Sequence, residues 1–231
     1  MTGQRASARS AIAELRDRRI DPAWFQRDVD TVARDLVGCA LVHGTRAGTI
    51  VETEAYRGAE DLASHARFVG SGQGTKRTSV MYGPGGVAYV YLCYGIHEMF
   101  NIVAGAAGQG AAVLIRAIAP LVGLGGDDAI GRGPGKVTIA LGIDRRHDRR
   151  DLAKGALFVA HRDVGTAPPI ANGPRIGVAY AGAWAVAPLR FWWRDHSAVS
   201  VDGRRSAAPS RTARAARAPR APSSGPARSR R

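Results

Sequence analysis

Apolar positions between Pro22 and Val42 (Trp24, Phe25, Val29, Val32, Ala33, Leu36 and Val37) recur at helical spacing and predict an amphipathic helix, with Gly38 as its stop. The pattern then changes to short runs, and residues 39–56 read as two strands around Gly44–Gly48. Three further runs, Val87–Tyr94, Met99–Ala104 and Ala111–Ile118, predict strands separated by turns at Tyr94-Gly95 and Gly105–Gly110. Between these groups, residues 58–85 are Gly- and Ser-rich, a long irregular connection of the kind that carries function. Gly133-Pro-Gly-Lys136 opens a short predicted helix over Val137–Leu141, and Leu157–Ala160, Arg175–Ala179 and Leu189–Arg194 predict the closing strands.

The two ends behave differently. Residues 1–18 suit either a frayed helix or a disordered arm, and residues 1–20 are set apart as a flexible N-terminal arm. Past Asp202 the chain turns to Arg, Ala, Pro and Ser, which cannot bury a core, so residues 203–231 are expected to form a disordered basic tail. The remainder, residues 21–202, reads as one domain of antiparallel strands with flanking helices, class α+β.

Charge changes the picture more than composition does. The 33 Lys and Arg outweigh 19 Asp and Glu, a formal charge of +14 over 231 residues, which makes a polyanion such as nucleic acid the default partner. The tail holds nine Arg and no acid, yet residues 1–202 still carry +5. Two cysteines, Cys39 and Cys93, supply neither a disulfide framework nor a zinc site, and the six histidines lack metal-ligand spacing. Neither a signal-peptide core nor a run of membrane-spanning length is present, so a soluble cytoplasmic protein is expected. Gly72–Lys76 has a phosphate-loop flavour without the required spacing.

Three clusters carry candidate chemistry. In Ile50-Val-Glu-Thr-Glu-Ala-Tyr56, strand alternation puts Ile50, Glu52, Glu54 and Tyr56 on one face, with the two carboxylates about 7 Å apart. Either one carboxylate holds an activated water while the other serves structure, or both pair with Arg across the sheet. His65 follows as either a second wall or a surface residue. In Tyr89-Val-Tyr91-Leu-Cys-Tyr94-Gly95, Tyr89 reads as core, whereas Tyr94 falls at a turn tip, where a ring can enter a base stack. Asn101 and Arg116 are polar residues inside apolar strands and need partners there. Lys136 with the free amides of its helix start either holds one DNA phosphate or is a plain cap.

Taken together, Glu52-Thr-Glu-Ala-Tyr56, His65, Ala88–Gly95, Asn101 and Leu114-Ile-Arg116 resemble the alkyladenine (3-methyladenine) DNA glycosylase family, over about Asp28 to Val201. The Ala33–Gly38, Pro174–Gly177 and Pro188–Phe191 stretches belong to the same likeness. The resemblance implies a single α+β domain with a curved antiparallel sheet. It makes Glu54 the water-activating base, Arg116 a positioner of that water, and Tyr56 and His65 the rings that sandwich a flipped base, with Tyr91 completing the pocket. Asn101 would crowd the exocyclic amine of guanine, and Tyr94 would be the minor-groove wedge. Ile96 and His97, just after the wedge, depart from the family pattern.

The implied reaction is hydrolysis of the glycosidic bond of a damaged purine (3-methyladenine, 7-methylguanine or hypoxanthine) in double-stranded DNA, by a monomer without cofactor. No lysine lies in the Glu–Tyr cluster, so a Schiff-base lyase step is not expected. A hydrolase of free nucleosides and a non-catalytic nucleic-acid-binding module are the competing readings.

Overall fold

The computed structural model describes residues 2–68, 75–163 and 165–200, with side chains from Ala6 onward. The expected basic tail over 203–231, and most of Gly72–Lys76, lie outside the described residues.

Of the two readings left open for residues 1–18, a frayed helix or a disordered arm, the structure has a helix, α1, over Thr2–Asp17. Ile12 and Leu15 are buried against Ala40, Val42, Phe158 and Ala160, enough apolar contact to hold the helix down. The single helix expected from Pro22 is two pieces. Pro22–Gln26 is one 3-10 stretch, Arg27 is extended (φ −75°, ψ 172°), and α2 runs Val29–Leu36. The break has a local cause: Asp28 accepts from the N–H groups of Asp30 and Thr31, both at 3.1 Å, and so takes the N-cap position. From there Val29, Val32, Ala33 and Leu36 recur on one face, and all four are buried.

Strands β1 (Ala40–His43), β2 (Arg46–Tyr56), β3 (Ala88–Cys93), β4 (His97–Ala104) and β5 (Ala111–Val122) follow, then helix α3 (Pro134–Leu141). Strands β6 (Leu157–Ala160), β7 (Ile170–Gly173) and β8 (Arg190–Trp193) close the chain. All pair antiparallel in one sheet of order β3-β4-β5-β2-β1-β6, with β8 on the second half of β2 and β7 outside it. The result is the expected single α+β domain, an antiparallel sheet that is flanked by helices and is not strongly curled.

Two expectations need correction. Arg175–Ala179 is not a strand: Gly177 sits at φ 78° and the N–H of Ile176 goes to a side chain rather than to a ladder. The middle of the three closing strands is instead Ile170–Gly173, paired with β8. Strict alternation along β2 also fails at one point. Ile50 pairs with Ile118 and Glu52 with Ala117, so Val51 is an extra residue; Thr53 then pairs with Ile115, which makes Arg116 extra on β5. These paired bulges rotate Ile50 into the main core with Ala55, Ile115 and Ile118, away from the face it was expected to share with Glu52. Thr53 points the same way and donates to the carbonyl of Ala33 on α2 at 2.7 Å. Glu52, Glu54, Tyr56 and Arg116 are left together on the opposite face.

Because α2 covers that core face, its cap is a test of the packing. Asp28→Ala should cost about 1 kcal/mol. The expected readout is a lower urea midpoint with an unchanged slope, the midpoint alone reporting stability.

Candidate active site

The face released by the bulges opens into a cavity of about 240 Å³. Glu54, Tyr56, His65, Tyr91, Tyr94, Asn101 and Arg116 all line it, so the structure gathers seven of the eight site residues expected from the sequence. Lys136 is not among the lining residues. It lies exposed in the first turn of α3, where its ammonium donates to the carbonyl of Ala129 at 3.2 Å.

Glu54 is fully buried and sits at the junction of three donors. The N–H of Ile176 reaches Oε1 at 2.8 Å, the Tyr56 hydroxyl reaches Oε2 at 2.9 Å, and the Arg116 guanidinium stands 3.5 Å from Oε1. Burial nevertheless dominates and pushes the Glu54 carboxyl above the ordinary glutamate range, against the opposing pull of Arg116, the Ile176 amide and Tyr56. Burial and the adjacent Glu54 charge raise the Tyr56 phenol well above its usual value, so it stays a donor. A carboxylate with raised basicity, held by donors yet lining a cavity, can take a proton from water.

Glu52 has the other role. It is equally buried, but Arg190 approaches Oε1 at 3.1 Å, Arg116 at 3.2 Å, and the N–H of Ser200 donates to Oε2 at 2.7 Å. The two alternatives read from spacing are therefore divided between the carboxylates. Glu52 is a structural ion-pair partner; Glu54 touches arginine only at its edge.

The aromatic walls come from three elements. Tyr56, at the end of β2, has the Arg175 guanidinium 4.6 Å from its ring centroid, which leaves its other face for the cavity. Arg175 is itself buried and fixed by Asp61, donating to Oδ1 at 2.8 Å and to the Ala55 carbonyl at 2.9 Å. His65 meets Tyr91 edge-on at 4.6 Å and shares a 2.9 Å hydrogen bond with the Tyr89 hydroxyl. Burial, with Arg77 and Arg67 nearby, lowers the His65 pKa to about 4, and burial raises Tyr89 to about 12. The imidazole is thus neutral at physiological pH. Tyr89, read as core, is core. Asn101 lines the cavity while its amide donates to the carbonyls of Tyr89 at 3.1 Å and Met99 at 3.4 Å.

At the hairpin between β3 and β4, Tyr94 (φ 49°) and Gly95 (φ 72°) both occupy the left-handed region, and the Ile96 N–H closes the turn on Cys93 at 3.0 Å. Positive φ at both central residues follows the twist of the flanking strands, and Gly adopts it without strain. The outcome is a tyrosine that is 94% exposed at the mouth of the cavity. An exposed aromatic at a turn tip is not explained by core packing.

Sequence reasoning missed Ile176, Ser200, Arg190 and the Asp61–Arg175 pair. Ile176 and Ser200 reach the carboxylates through backbone N–H groups, which leave no mark in side-chain chemistry. Arg190 and Asp61 act across more than 100 residues of chain.

A buried carboxylate in an aromatic-walled slot, with an exposed tyrosine at its mouth, is the site of an enzyme able to hold a planar base beside a proton acceptor. Residues 23–197 match the family described as Methylpurine-DNA glycosylase (MPG), and the chain belongs to that family. It is 48% identical over 197 residues to a protein of Myxococcus xanthus provisionally named 3-methyladenine DNA glycosylase, covering 80% of this chain and 97% of that one. Proteins with the same name from Anaeromyxobacter dehalogenans strain 2CP-1 (47% over 191 residues; 79% and 85% covered) and Legionella pneumophila strain Lens (42% over 188 residues; 79% and 98% covered) are similarly related. DNA glycosylase activity on alkylated purines follows from the family.

The raised Glu54 pKa has a stability consequence with a definite sign. Its folded-state pKa lies above the unfolded one, so folding favours the protonated form and ionisation costs stability as pH rises through the folded value. Glu54→Gln should therefore melt no lower than wild type at pH 8, and its advantage should shrink toward zero as the pH is lowered through the carboxylate range. Melting curves across pH check this.

Proposed function

We propose that the chain is a monofunctional DNA glycosylase that extrudes a damaged purine into the Glu54 cavity and hydrolyses its glycosidic bond. The observation that carries the proposal is the convergence of a buried, abnormally basic carboxylate, a neutral histidine and two tyrosines on one slot beneath the exposed Tyr94.

Each part has a physical task. Tyr94 enters the stack from the minor groove and fills the gap that the departing nucleotide leaves, offsetting an extrusion cost of a few kcal/mol that is smallest at a damaged base. In the slot the purine stacks on the free face of Tyr56 and against His65 and Tyr91. A base alkylated at N3 or N7 is cationic, and the neutrality of His65 spares it a like-charge neighbour while the tyrosine rings attract it. That positive charge already weakens the glycosidic bond, so the leaving group needs no protonation. Glu54 takes the proton of a water as its oxygen attacks the sugar carbon, with Arg116 orienting that water. The carboxylate charge also steadies the oxocarbenium-like transition state. Asn101, fixed by its two carbonyl contacts, crowds the exocyclic amine of guanine, a cost that 7-methylguanine shares but offsets through its cationic ring and weakened glycosidic bond.

Among the described residues no lysine lines the cavity, in keeping with hydrolysis that stops at an abasic site. The substrates are of the 3-methyladenine, 7-methylguanine and hypoxanthine class. The enzyme acts as a monomer on chromosomal DNA in the cytoplasm, with Lys136 gripping a backbone phosphate.

The test is a duplex carrying one hypoxanthine or 3-methyladenine analogue, incubated and then cleaved with alkali. Wild type should give strand breaks, and Glu54→Gln should bind the duplex with a rate at least about 100-fold lower. Plotted against pH, the wild-type single-turnover rate should rise with an acid limb centred above about 4.3, the ordinary glutamate value, because the base must be ionised to act. Binding without breaks would point to a non-catalytic module. Release of base from free nucleosides alone would point to a nucleoside hydrolase.

The tail adds a separate contribution. Nine Arg over residues 203–231 should supply phosphate contacts that are lost one by one with rising salt. Deleting them should flatten the slope of log affinity against log salt for undamaged duplex, by about 0.9 for each contact removed. An unchanged slope leaves the tail without this role.

A further inference from the structure

Arg116 is claimed by two carboxylates, and the geometry decides how it is divided. Its Nε edge lies 3.2 Å from Glu52 Oε1 and donates to Ser200 Oγ at 3.1 Å, while one terminal nitrogen stands 3.5 Å from Glu54 Oε1. Ser200 is thus doubly engaged: its hydroxyl accepts from Arg116 and its backbone N–H donates to Glu52 at 2.7 Å. The residues before it are anchored. Ala198 is fully buried and Val199 is 9% exposed, packed with Val51, Ala117 and Ala119 on the bulged seam of β2 and β5. The bulge residue Val51 therefore meets the very segment that delivers Ser200.

Arg190 already pairs with Glu52, and the Ile176 N–H and Tyr56 hydroxyl already serve Glu54, so the position of Arg116 between them depends on what else holds its guanidinium. Both carboxylates are buried on the same strand face, two residues apart. A bidentate pairing with Glu54 would neutralise the base that the proposed reaction needs, because a guanidinium locked onto a carboxylate makes it a poor proton acceptor. Ser200 breaks the symmetry by adding a second acceptor on the Nε edge of Arg116 and a donor on Glu52.

We propose that Ser200 is a positioning residue, holding Arg116 on Glu52 so that only one of its nitrogens reaches Glu54 and the base stays free for water. The inference rests on the glycosylase reading of the site and adds a residue outside the cavity lining. Glu54 is faced by Arg116 and Glu52, by Tyr56 on its own strand, by Tyr91 from β3 and by Arg175. Of these, Ser200 holds Arg116 through its hydroxyl, which Ser200→Ala removes, and Glu52 through its backbone N–H, which that change keeps.

The experiment compares wild type, Ser200→Ala and Ser200→Thr in the full chain. Single-turnover excision of hypoxanthine from duplex is followed across pH, alongside affinity for a duplex containing a stable abasic analogue. Ser200→Ala should lower the plateau rate about tenfold, the scale of one hydrogen bond to a charged group. It should also move the acid limb to lower pH as Arg116 swings onto Glu54, with duplex affinity unchanged. Ser200→Thr keeps the hydroxyl and should restore both. A wild-type profile for Ser200→Ala overturns the proposal; so does a rate loss matched by an equal loss of affinity that Thr does not rescue.

A readout independent of activity accompanies these. In protein labelled with ¹⁵N-arginine, the Arg116 Nε–H signal, assigned by its absence in Arg116→Lys, should exchange slowly with solvent in wild type and rapidly in Ser200→Ala. Equal exchange in both overturns the positioning role even if no lesion is excised. An inactive wild type that shows the exchange difference instead sinks the glycosylase reading alone.

Discussion

Four acidic and basic side chains meet in one seam, and the rest of the site is arranged around keeping them satisfied. Glu52, Arg116, Arg190 and Glu54 sit where β2 and β5 each carry one extra residue, so their charges face one another instead of water. Desolvating such ions costs several kcal/mol each, and a pair of this kind is seldom a net source of stability. Its retention is better understood as orientation: the network fixes where a guanidinium and a carboxylate point. Three of the four are close-coupled, and Glu54 is the one left under-compensated.

That imbalance explains the chemistry as well as the fold. A fully paired glutamate would be a weak base, and a solvated one would be an ordinary base. Glu54 lies between these limits, because burial raises its proton affinity more than its three donors lower it. The aromatic wall obeys the same logic from the other side. His65 is kept neutral by burial and by neighbouring arginines, so the slot presents polarisable faces and a single acidic group. In the proposed reaction such a slot attracts a cationic alkylated ring and still stacks a neutral one such as hypoxanthine.

Much of this was legible from residue types and spacing. The carboxylate–tyrosine run, the tyrosine at the turn and the polar residues within apolar strands all reached the cavity, since each is an anomaly in its local pattern. The strands β3, β4, β5 and β6 fell close to their apolar runs for the same reason. What escaped was non-local or carried by the backbone. Asp28 as a cap splits a helix whose apolar periodicity runs straight through it. The bulges at Val51 and Arg116 invert the facing of Ile50, and no single-strand pattern can report a slip that takes two strands to define. Ile176 reads as a strand residue until its N–H is seen to serve Glu54. Lys136 shows the converse, a charge singled out in the sequence that lies outside the cavity lining.

Strand β2 serves two masters, since its odd positions after the bulge knit the hydrophobic interior while its even positions hold the reactive groups. Any change that slides or flattens this strand will alter robustness and turnover at once. Adaptation of the enzyme to heat or cold is therefore channelled to elements remote from β2, such as α1 and the outer strands, where packing can be retuned with the reactive groups left in place.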